Sequence, residues 1–135
     1  MRYLPMSLAL GALRRGQGIE QLLGGFEEGG RRGVRYVVIT PTSSGVFYVS
    51  CTAVEDTVDR HGGLLYPSDD AFYPEDASRE GARTMGTAPT PEEALELAER
   101  ELGADPRWWV NLGVLGYEYR DFVERGRPLG PWQPS

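Results

Sequence analysis

VRYVVIT at residues 34–40, PTSSG at 41–45 and VFYVSCTAV at 46–54 decide the fold. The first and third runs are rich in β-branched and aromatic residues, the composition of strands. The middle run is a cluster of turn formers, and its five residues suit an antiparallel hairpin. In the third run Phe47, Val49, Cys51 and Ala53 alternate with Tyr48, Ser50 and Thr52. Period two with one apolar face predicts a sheet covered on one side.

Outward from the hairpin, the C-terminal half reads as helical. Thr90-Pro91-Glu92-Glu93 supplies an N-cap, a proline at the first helical position and a glutamate three residues on, the pattern of a capping box. Ala94, Leu95, Ala98 and Leu102 make the apolar stripe, Glu96 and Arg100 stand at i,i+4, and Gly103 is the natural stop. Asp105-Pro106 opens another element. Trp108, Leu112, Leu115, Tyr119 and Phe122 follow helical spacing, although Trp108, Val110, Leu112 and Val114 also alternate as a strand would. Gly113 and Gly116 weaken a continuous helix, so the firm part is 117–125, ending at Gly126; 107–116 is read as helix. The tail 127–135 contains three prolines and is expected to be irregular, with Trp132 pinning it to the body.

Toward the N-terminus, Ser7 precedes Leu8, Leu10 and Leu13 at near-helical spacing, and Gly16 and Gly18 interrupt. Two short helices, 7–15 and 18–24, are predicted, followed by EEGGRRG at 27–33 as a polar connector. Leu64–Tyr66 is a short strand candidate, and Arg83–Ala88 reads as an edge strand. The whole predicts a single α+β domain over residues 1–135: short N-terminal helices, an antiparallel sheet of three to five strands, and two C-terminal helical elements packed on one face.

Composition narrows the function classes. The chain has 135 residues, 40% of them hydrophobic and 25% charged, an ordinary globular balance. All fourteen basic residues are arginine, a bias that reads as GC-rich, bacterial coding. One cysteine, Cys51, permits no internal disulfide, and one histidine, His61, leaves too few ligands for a zinc site. The apolar stretch Tyr3–Leu13 is interrupted by Pro5 and Gly11 and lacks a cleavage site, so a cytoplasmic protein is expected. No apolar run is long enough to span a bilayer. The net charge of −6 is the wrong sign for coating nucleic acid.

The charge is unevenly placed. Residues 1–36 hold six arginines and three glutamates. Residues 55–80 hold eight acids and two arginines, a balance equal to that of the whole chain. Within this stretch, Pro67–Glu80 interleaves Asp69, Asp70, Glu75 and Asp76 with Phe72 and Tyr73 on a proline-stiffened segment. The acids do not match the spacing of a calcium-binding loop, and no metal or cofactor is expected. Acids speed the encounter with a basic partner, and aromatic rings anchor it. Adjacent residues face different ways, so one of Trp108 and Trp109 belongs in the core, and Trp109 is assigned as a further surface anchor.

The remaining chemistry is sparse. Cys51 and His61 are the only thiol–imidazole pair, and a strand position facing the core is where a small buried hydrophobe is expected. Ser43 and Ser44 lack the context of a nucleophile elbow. The reading is therefore a non-enzymatic protein-binding domain, an acidic inhibitor or immunity-type protein that neutralises a basic bacterial protein, as monomer or homodimer. The alternatives are a small-ligand-binding domain with its pocket between the sheet and the Trp108–Tyr119 element, an acidic dimeric chaperone, and a Cys/His enzyme.

Overall fold

A computed structural model describes residues 2–56, 72–73 and 82–134, and of residues 82–84 the backbone alone. Its elements are α1 (Met6–Arg14), β1 (Ile19–Glu28), β2 (Arg31–Pro41), β3 (Phe47–Glu55), β4 (Ala82–Ala88), α2 (Pro91–Leu102), β5 (Val110–Asn111), α3 (Leu115–Glu124) and β6 (Gly130–Pro131). The strands form one antiparallel sheet in the order β4-β3-β2-β1-β5, with β6 also beside β1. The α+β class and the antiparallel sheet are as the sequence predicts.

The central hairpin is as expected. β2 pairs with β3 from Gly33↔Glu55 to Pro41↔Phe47, and Thr42 closes the turn by donating its backbone N–H and its hydroxyl to the Val46 carbonyl. α2 is capped as its sequence predicts: Thr90 Oγ1 accepts the Glu93 N–H at 3.2 Å, and Gly103 takes the left-handed conformation at φ 74°. β4 covers the predicted edge strand. The Leu64–Tyr66 candidate lies outside the described residues.

Three expectations are corrected. The first concerns 18–24, which is not helix: residues 19–24 are the first half of β1, and Gly18 precedes it. Its apolar residues do not alternate because the strand is buried on both faces, and Leu23 bulges out between Leu22↔Tyr36 and Gly24↔Arg35. EEGGRRG is then not a connector but a hairpin tip. Glu28 pairs with Arg31, and Gly29 and Gly30 turn at φ 61° and 77°. The second correction concerns 107–114, where turns flank a two-residue strand, with Glu20 paired to Val110 and Ile19 to Asn111; only 115–116 of the expected helix are helical, as the start of α3. Tertiary pairing to β1 wins here over the local helical spacing.

The third correction is that the sheet is covered on both faces. Along β2, Val37 and Ile39 point one way, and Val34 and Tyr36 the other. The first face joins Ile19, Phe47 and Val49 to Leu13 of α1, to Ala94, Leu95 and Ala98 of α2, and to Trp109. The second face joins Leu22 and Val54 to Leu115, Tyr119 and Phe122 of α3 and to Trp132. The two C-terminal helices therefore belong to opposite faces. The tail is tied down: Gly24 pairs with Pro131, and the Trp132 N–H donates to the Leu23 carbonyl at 2.8 Å.

Candidate functional site

The aromatic pair of the acidic stretch meets the sheet at the β1–β2 hairpin. Arg31, Gly33 and Arg35 alternate along β2 and share a face with Phe26 and Glu28 across the register. Phe72 packs edge-on against Phe26 with centroids 4.6 Å apart, and Tyr73 stands 5.0 Å from Phe72. The guanidinium of Arg31 lies 4.3 Å from the Phe72 ring centroid, and that of Arg35 lies 4.3 Å from the centroid of Phe26. Such contacts add about 0.5–1 kcal/mol each at exposed sites. The Tyr73 hydroxyl donates to Glu28 Oε2 at 2.7 Å, and the Phe72 N–H donates to the Ala53 carbonyl at 3.0 Å. Gly33 makes room: a Cβ there would lie 2.4 Å from the Phe26 ring and 2.8 Å from Phe72.

The other edge of this corner is a buried ion pair. The Asp56 carboxylate, 2% exposed, accepts from Arg127 and from the Tyr119 hydroxyl at 2.7 Å. Burial, reinforced by the bond to Asp56, pushes Tyr119 up to about 12. Arg127 has φ 56°, the only positive φ outside glycine among the described residues. The Asp56 N–H donates to the Arg32 carbonyl at 3.0 Å. The chain thus leaves β3 at Asp56 and is back on it at Phe72, three residues from where it left.

The predicted site residues divide. Phe72 and Tyr73 are brought together on the hairpin, but Phe72 is 2% exposed and Tyr73 half-buried, so both rings hold their own segment. Trp109 is fully buried between α1, α2 and the sheet, which removes it as a surface anchor. Asp69, Asp70, Glu75 and Asp76 lie outside the described residues. So does His61. Cys51 sits mid-strand opposite Val37, half-buried. Among the described residues no group of acids, histidines or cysteines forms a metal cluster.

Of the Trp108–Tyr119 element, expected to border a ligand pocket, Trp109 is buried in the core on one face of the sheet and Tyr119 in the core on the other. A cleft of about 330 Å³ lies elsewhere. It opens beside the β1 bulge, bounded by Leu23, Phe26, Arg35, Leu102 and Pro131. Sequence reasoning missed Phe26 and Glu28, and saw Arg31 and Arg35 only as part of the arginine-rich N-terminal segment, not as partners of the acidic stretch. Their signal was the alternation of two arginines about a glycine, hidden by the reading of EEGGRRG as a connector.

The N-terminal arginines find acids of their own. Arg2 pairs with Glu118 and Asp121, Arg14 with Glu92, Arg31 with Glu55, and Arg32 with Glu27. The chain matches no protein family, no curated protein and no solved structure in the comparisons made.

Proposed function

We propose that this protein is a non-enzymatic protein-binding domain, an acidic inhibitor or immunity-type protein that neutralises a basic bacterial partner. One observation carries the reading: the acidic stretch is fastened to the β1–β2 hairpin at its own aromatic pair, Phe72 and Tyr73. Two aromatic residues already seated before the partner arrives have less conformational freedom to lose on binding, and affinity rises accordingly. The pairing of Arg2, Arg14 and Arg32 with acids outside residues 55–80 adds support, because these cations are engaged elsewhere. Acids steer a basic partner and raise its association rate in a salt-dependent way.

The test is capture from a lysate of the native organism at low salt, with wild type beside D69N/D70N/E75Q/D76N. The captured protein is then purified for association kinetics. A basic protein held by wild type is expected, with association by the variant at least about tenfold slower and nearly independent of salt. Equal rates for the two forms would overturn the reading in favour of an apolar surface.

A further inference from the structure

We infer that the cleft beside the β1 bulge is a binding site for a small, singly charged carboxylate with an apolar body, Arg35 holding the carboxylate. The cleft measures about 330 Å³, at the lower end of the range for small-molecule sites and too small for an extended peptide. Its cation is prepositioned, because Arg35 lies over Phe26 at 4.3 Å. Unlike Arg31 and Arg32, Arg35 has no acid partner among the described residues. A guanidinium fork matches a carboxylate with two parallel hydrogen bonds. Leu23, Phe26, Leu102 and Pro131 supply apolar walls for the rest of the ligand.

The surroundings set the charge. Leu102 and Gly103 bring the C-terminal end of α2 to the cleft, the negative end of the helix dipole. That negative field opposes any anion, a dianion such as phosphate more than a carboxylate, and among the described residues Arg35 is the one cation lining the cleft to offset it.

The probe is phenylacetate, followed by amide NMR shifts of the full chain, with phenylacetamide and inorganic phosphate as controls. Saturable shifts are expected at Leu23–Phe26, Arg35 and Leu102–Gly103, with none from phenylacetamide and weaker ones from phosphate. Arg35→Gln is exposed on its strand and should leave the remaining spectrum in place while weakening phenylacetate about tenfold. Leu102→Trp, which fills the cleft and spares Arg35, should abolish the shifts. Equal response to phenylacetamide or to phosphate, an unchanged affinity in Arg35→Gln, or no saturable shift would overturn the inference. Phenylacetate binding should survive D69N/D70N/E75Q/D76N, which separates this site from the partner surface.

Discussion

Arg127 holds a left-handed backbone that few side chains adopt, and its reward is the buried carboxylate of Asp56. Arg127→Ala keeps the strained backbone and strands Asp56 with one partner, Tyr119. A loss of about 3–5 kcal/mol in denaturant unfolding is expected. Tyr119 and Tyr3 are both pushed up to about 12, in each case first by burial and then by a bond to a carboxylate. A phenol whose folded pKa exceeds its unfolded value of about 10 contributes stability that is complete below pH 10. That stability is lost as pH rises through 12. Tyr119→Phe should therefore show a smaller fall in stability between pH 9 and 12 than wild type. Glu20 is another buried acid, with its carboxyl raised mainly by burial. It accepts the N–H groups of Gly113 and Leu115 at 3.1 and 3.0 Å and so caps α3 from a neighbouring strand. Its raised pKa makes stability decline as pH climbs from its unfolded value through its folded one. Glu20→Gln keeps an acceptor oxygen and should erase that decline in pH-dependent melts. Glu20→Ala leaves two donors without their acceptor and should cost about 1–3 kcal/mol.

Elements differ in how far they can be read locally. α2 was legible because cap, proline, stripe and stop all lie within its own residues, and Thr90→Ala should cost about 1 kcal/mol by chemical denaturation. β2 and β3 were legible from side-chain shape and from the turn between them. β1 was not: burial on both faces erases alternation, and its bulge at Leu23 answers to β6 and Trp132, a hundred residues away in the chain. The start of α3 was missed for the same reason, since its cap comes from Glu20. The bulge leaves no space at Gly24, which stands at φ 139° with its missing Cβ 2.1 Å from the Gly130 carbonyl oxygen. Gly24→Ala should displace β6 and expose Trp132, read as a red shift of tryptophan emission and a loss of roughly 2 kcal/mol or more. At the candidate site, the acidic aromatic stretch was visible as composition. Its fastening was not, because Phe26, Glu28 and Arg31 are brought to Phe72 and Tyr73 by pairing alone.

At the scale of the molecule, one sheet separates two apolar clusters and belongs to both. Damage to either face therefore loosens the same strands. Leu13→Ala on one face and Phe122→Ala on the other should each cost about 3–5 kcal/mol and shift a single transition by circular dichroism and by fluorescence alike. Separate transitions for the two faces would contradict that coupling. The return of the chain to Ala53 after leaving at Asp56 has a different consequence. A stretch of fifteen residues, 57–71, begins and ends at one place on one strand. Doubling such a stretch adds only about 0.6 kcal/mol of closure entropy. Its length and wording are thus free to drift while the sheet keeps its register. Residues added within that stretch should therefore leave denaturant unfolding nearly unchanged, provided the contacts that clasp its two ends at Asp56 and Phe72 are kept.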